Sequence, residues 1–156
     1  MEKIRSYFDS LKGKEISVVG LGVSHRPLIG LLLQEGLSVT AYDKKSMEEL
    51  GEFGREYAEK GVRFVLGDGY LDDLKGDLIF KTPGMRGDLP PFEKARANGA
   101  EVTSEMEVFF RLCPCPIYAV TGSDGKTTTT TLISKFLSAQ GKHRRPVHLV
   151  SLGYIY

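Results

Sequence analysis

The chain has 156 residues, 41% of them hydrophobic and 26% charged, with a net charge of +1 and a pI near 7.7. Those values fit a globular chain able to build a real core, and they exclude the charge excess expected of a nucleic-acid or membrane-surface binder. The opening "MEKIRSYFDSLKGK" is too polar for a secretory leader, and no apolar run approaches the roughly 20 residues a membrane span needs. A cytoplasmic protein with neither nucleic-acid nor membrane partners is expected. Cys113 and Cys115 flank a proline in "CPCP". That spacing is too short for an unstrained disulfide and supplies only half of a structural zinc site, so reduced thiols are expected. The single basic cluster, "KHRR" at 142–145, reads as a solvated turn.

Taken in chain order, Ile4, Phe8 and Leu11 mark one face of an opening helix that stops at Gly13. "ISVVG" (16–20) reads as a buried strand leading into a glycine turn. The helix "RPLIGLLLQEG" follows, with Pro27 in its first turn and Gly36 as its cap. "LSVTAYD" (37–43) is a second strand. Ser46 and Glu49 form a capping box for a helix that aligns Met47, Leu50, Phe53 and Tyr57. "VRFVL" (62–66) and "DLIFK" (77–81) are strands separated by one helical turn, "YLDDL". "TPG" (82–84) is a loop, Pro90 and Pro91 start a helix, and "AEVT" (100–103) is a fifth strand. Ser104 and Glu107 make a second capping box, Pro114 and Pro116 interrupt the chain, and "IYAVT" (117–121) is a sixth strand. A glycine loop then leads into the helix "TTTTTLISKFLSAQG", closed by Gly141.

Such alternation predicts a parallel sheet with helices on both faces and ligand-binding loops along one edge. Residues 1–103 are expected to form one complete module and 104–156 to open a second.

Two glycine turns carry candidate chemistry. "GLGVSH" (20–25), with Asp43 ending the next strand, has the placement of a dinucleotide fingerprint, but His25 stands where the third glycine belongs. Composition permits a nucleoside diphosphate there without singling out NAD. An NAD(P)-binding oxidoreductase or sensor module is therefore the alternative reading. "TGSDGKT" (121–127) is more specific. Its backbone N–H groups can cradle β- and γ-phosphates, Lys126 adds a charge for them, and the Thr127 hydroxyl is placed to ligate Mg²⁺. Val120 stands where the usual spacing requires glycine, so the loop is a shortened form. Five threonines at a helix start do little for helix stability, which points to hydroxyls that ligate metal or contact phosphate.

Together "VVGLGVS", "AYDKK", "KTPGM", "TSEMEVF" and "VTGSDGKTTT" resemble the N-terminal third of the Mur ligase family of peptidoglycan synthesis, over about residues 1–142, and most closely its D-glutamate-adding branch. The resemblance implies a Rossmann-like domain followed by the opening β-loop-α of a P-loop ATPase domain. It implies an ATP-dependent ligase that adds D-glutamate to UDP-N-acetylmuramoyl-L-alanine through an acyl phosphate. Val23 and Ser24 would meet the diphosphate, Asp43, Lys44 and Lys45 would border the uridine, and Thr82, Pro83 and Gly84 would close over uracil and phosphate. Gly122, Ser123, Asp124, Gly125, Lys126, Thr127 and Thr128 would hold ATP and Mg²⁺, with Lys126 and Thr127 catalytic and Thr127 the metal ligand.

There are departures from the pattern. Asp124 replaces a frequent asparagine and puts negative charge beside phosphate. The segment 143–156, "HRRPVHLVSLGYIY", keeps a strand and one glycine, Gly153. The family's remaining metal and catalytic groups have no counterpart here, so no ligase turnover is expected of the isolated chain. The resemblance implies a monomeric full-length enzyme. For this chain, unpaired edges of "IYAVT" predict docking on the first module, self-association or mobility.

Overall fold

A computed structural model describes residues 2–139 and 148–151 of the protein. Gly141, the basic cluster at 142–145 and Gly153 lie outside the described residues. The chain divides into two compact units, Met1–Val108 and Phe109–Tyr156.

The first unit holds a five-stranded parallel sheet in the order β3-β2-β1-β4-β5. Its strands are β1 (Ile16–Val19), β2 (Val39–Asp43), β3 (Arg63–Leu66), β4 (Leu78–Lys81) and β5 (Glu101–Thr103). The helices are α1 (Glu2–Leu11), α2 (His25–Gln34), α3 (Met47–Glu59) and α4 (Pro90–Ala97), and α5 (Glu105–Leu112) follows β5. β1 is central, with Ile16 opposite Val39 on one side and Leu78 on the other. Burial on both faces explains why β1 and β4 read as mostly apolar runs, broken in β1 by the buried Ser17, whose hydroxyl donates to Lys75 O. β3, at one sheet edge, alternates exposed and half-buried residues instead.

The side-chain period of two divides the core. Ile16, Val18, Val39, Ala41, Leu78 and Phe80 pack with Leu11, Ile29, Leu32 and Leu50 of α1, α2 and α3. On the opposite face Val19, Tyr42 and Ile79 meet Phe92 and Ala95 of α4, with Tyr70, Leu71 and Leu74 packed alongside. Both capping boxes form. Ser46 Oγ accepts the Glu49 N–H while Glu49 accepts the Ser46 N–H, and Ser104 and Glu107 repeat the exchange. Two local expectations need correction. "YLDDL" is a series of tight turns, bonded Tyr70 N–H to Gly67 O and Asp72 N–H to Gly69 O, rather than a helical turn. Helix α3 is broken at Gly51, whose φ of 60° and ψ of −132° are open to glycine alone at low cost.

In the second unit β6 (Ile117–Val120) pairs in parallel with β7 (His148–Ser151), and α6 (Lys126–Ala139) follows the glycine loop. The strand expected in 143–156 is β7. Cys113 and Cys115 form no disulfide, their sulfurs lying 3.2 Å apart. Among the described residues no helix is long and apolar enough to cross a membrane.

Candidate functional site

Strand order reverses between β1 and β4, so the loops after their carboxyl ends border the crevice where ligands of parallel α/β sheets bind. Three segments named from the sequence meet there. Gly20 donates its N–H to Tyr42 O at 2.8 Å, and Thr82 donates its N–H to Val19 O at 3.0 Å. Gly20 has φ of +86°, and a Cβ there would sit 2.9 Å from Thr82 Cγ2. The turn and the "TPG" loop therefore touch, and only glycine fits between them. Gly22 faces open space, and Val23 is 91% exposed. Thr82 and Pro83 are half-buried, and Gly84 is exposed.

Asp43 is held by backbone. One carboxylate oxygen accepts the Leu21 N–H at 2.5 Å, the other the Lys45 N–H at 2.9 Å. The acid thereby fixes the glycine turn to the end of β2, with Lys44 and Lys45 exposed beside it. Tyr70 joins this region without having been singled out in the sequence. Burial, then the neighbouring Asp43 charge, push its phenol above the ordinary tyrosine value. Its only signal along the chain is an aromatic residue in a turn, and the fold alone brings that turn to β2.

His25 lies beneath the glycine turn, fully buried. Its Nδ1 is 2.6 Å from Gly20 O and its Nε2 is 3.0 Å from Glu105 Oε2. Burial works to raise the Glu105 carboxyl. Hydrogen bonds from His25, its own backbone N–H and the Ser24 hydroxyl, with the attraction of His25, outweigh that and hold it below the usual value. The Ser24 hydroxyl, expected at the diphosphate, is thus engaged by Glu105. Ser24 makes no side-chain cap of α2, and α2 carries no acid in its first turn. No acid within α2's own first turn offsets the positive end of its dipole; the nearby carboxylate is that of Glu105.

In the second unit Lys126 Nζ donates to Gly122 O at 2.6 Å and Ser123 O at 3.0 Å, folding over the loop that precedes it. Thr129 N–H donates to Gly125 O at 2.8 Å, so the helical ladder starts at the loop's end. Ser123, Asp124, Gly125, Thr127 and Thr128 are exposed, and Gly122 is half-buried. The threonine run divides in its use. Thr130 and Thr131 donate their hydroxyls to Lys126 O and Thr127 O, both at 2.8 Å, and so are spent on their own helix. Among the described residues no group of three or more His, Cys, Asp or Glu side chains could hold a metal ion.

No family model matches the chain. It is 58% identical over 132 residues to the UDP-N-acetylmuramoylalanine–D-glutamate ligase of Clostridium kluyveri, a match covering 84% of this chain and 29% of that protein. The corresponding ligase of Clostridium novyi is 52% identical over 134 residues, with 85% and 29% covered. The chain is similar to the N-terminal part of a Mur ligase. It spans about 29% of the length of the curated relatives it matches.

Solved Mur ligases carry the same fold. UDP-N-acetylmuramate–alanine ligase of Thermotoga maritima superposes with a TM-score of 0.52 at 21% identity, covering 88% of this chain and 37% of that one. A murein peptide ligase of Psychrobacter arcticus gives 0.51 at 25% identity, covering 83% and 27%. The NAD(P) reading is not favoured by these relatives.

Proposed function

We propose that this chain forms the UDP-substrate module, and the opening of the ATP-binding domain, of a cytoplasmic ligase joining D-glutamate to UDP-N-acetylmuramoyl-L-alanine. The observation that carries the reading is a phosphate-type turn at the sheet's reversal point, in a chain 58% identical to ligases of that name. The proposed functional domains are 1–103 and 104–156, a boundary set by the sequence motifs that falls just ahead of the division between the compact units Met1–Val108 and Phe109–Tyr156.

Val23 and Ser24 receive the diphosphate at the start of α2, where unpaired N–H groups and the helix dipole favour an anion. Asp43, Lys44 and Lys45 border the uridine, and Thr82, Pro83 and Gly84 close the opposite side. Because Asp43 is tied to Leu21 and Lys45, its part is to shape the turn as much as to touch ligand.

Residues Gly122 to Thr128 hold ATP. The loop fits that ligand: Lys126 already bends over it, and α6 has no acid in its first turn to repel phosphate. The Thr127 hydroxyl would hold Mg²⁺ at the start of α6. Bound ATP supplies the phosphoryl group that activates the substrate carboxylate. Lys126 and Thr127 contribute charge neutralisation and positioning.

Titration calorimetry with UDP, UDP-N-acetylmuramoyl-L-alanine and NAD(P) tests the first module. Heat with the first two and none with NAD(P) is expected. Heat with NAD(P) alone would return the dinucleotide alternative.

A further inference from the structure

The residue that breaks the glycine fingerprint is also the most completely buried titratable side chain beside the turn. His25 has no exposed surface, yet both ring nitrogens are engaged by groups from different parts of the chain. A backbone carbonyl only accepts, so the contact with Gly20 O requires a proton on Nδ1. The contact with Glu105 requires one more proton, carried either by Nε2 or by the carboxyl group.

We propose that His25 is a buried imidazolium that positions the phosphate turn, donating from both nitrogens to clamp Gly20 O against the Glu105 carboxylate at the start of α5. The clamp acts on the carbonyl side of the turn. Gly20 O is drawn inward, while the following residues border an open face: a Cβ added at Gly22 would meet nothing within 4 Å, and Val23 is exposed. Charge-assisted hydrogen bonds are stronger and more directional than neutral ones, which suits a short glycine-flanked turn whose Leu21 side chain alone reaches the core.

Other groups around the ring agree. Glu105 also accepts the Ser24 hydroxyl and its own backbone N–H, which favour the ionised carboxylate over the acid. Glu107, the next acid on α5, is committed to Thr103 and Ser104. Arg26, the neighbouring cation on α2, lies over the Phe53 ring at 4.6 Å. The positive end of α2 opposes a cation at its first residue. Two acceptors in direct contact with the ring outweigh that effect.

The turn's part in anion binding rests on the functional reading above, but the charge state of the ring does not. Long-range ¹H–¹⁵N correlation on the labelled protein near neutral pH, with His25 assigned through a His25→Asn sample, is expected to show both nitrogens protonated. A ring with one bare nitrogen would overturn the proposal whatever ligand binds. Glu105→Gln keeps the shape and removes the charge. UDP affinity is expected to fall about tenfold, the ratio separating a charged from a neutral hydrogen bond, while uridine affinity stays as in wild type. Amide exchange at Leu21–Ser24 should accelerate in the same variant. Equal loss for UDP and uridine, or no loss, would overturn the positioning role. Absence of UDP binding by the wild type would defeat the functional reading, with the ring spectrum still deciding this one.

Discussion

Gly20→Ala is the most direct probe of how the phosphate turn is built. At φ of +86° an alanine enters the left-handed region, and its Cβ would meet Thr82 Cγ2 at 2.9 Å and Thr82 Cβ at 3.1 Å. The backbone term is about 1–2 kcal/mol and the overpacking term about 1–3 kcal/mol, so a total of about 2–4 kcal/mol is expected after local relief. For a module of about 100 residues that lowers the melting temperature by roughly 8 °C or more. Urea unfolding, following the first unit by far-UV circular dichroism, measures it. Thr82→Ser removes Cγ2 and leaves Cβ, so combining it with Gly20→Ala should recover part of the loss and never all of it. Gly22→Ala is the control. Its Cβ meets nothing within 4 Å, so stability should stay within about 0.5 kcal/mol of wild type. If Gly20→Ala were as stable as Gly22→Ala, the turn would not be held against Thr82, and the geometry assigned to this crevice would be wrong.

Three further outcomes are expected. Phe92→Ala, at a fully buried position under the Ile79 face of the sheet, should cost about 3–5 kcal/mol in urea unfolding. Lys126→Ala should abolish ATP-dependent thermal stabilisation while leaving UDP binding intact, and parallel loss of both ligands would mean the substitution had damaged more than the loop. Glu105 contributes to the acid limb of stability. Its folded-state value is lowered, so the stability it contributes is present above the ordinary carboxylate range and lost as pH falls through the lowered value. Melting temperature against pH should therefore fall less steeply on acidification in Glu105→Gln than in wild type; identical slopes would rule out that contribution.

What is legible in the sequence follows the range over which each signal acts. Helix caps are local, so Ser46 with Glu49 and Ser104 with Glu107 can be read directly, and both form. Parallel strands buried on both faces announce themselves as short β-branched runs, and their alternation with helices implies one sheet edge for the loops. The "YLDDL" segment misleads because apolar spacing over five residues cannot distinguish a helical turn from consecutive tight turns; packing of Tyr70, Leu71 and Leu74 on the sheet satisfies the same pattern. The threonine run misleads in part for a related reason. A hydroxyl at a helix start can face a ligand or its own backbone, and Thr130 and Thr131 take the second course.

His25 shows a different limit. The sequence marks it as a break in a glycine fingerprint, which argues against NAD, but a break says nothing of what replaces the missing function. The third glycine of such motifs lets a helix approach its strand closely. Here a full imidazole occupies that space, and burying it without partners would be costly. One partner, Gly20 O, is five residues away and the other, Glu105, is eighty, supplied by a helix that begins after the last strand of the sheet. No window along the chain contains both. The same separation makes the contact informative, because the Glu105 partner is in place only once β5 has docked and delivered α5. The contact reports that β5 has docked, whereas an isolated peptide of residues 16–36 would keep Gly20 O and leave Nε2 without Glu105.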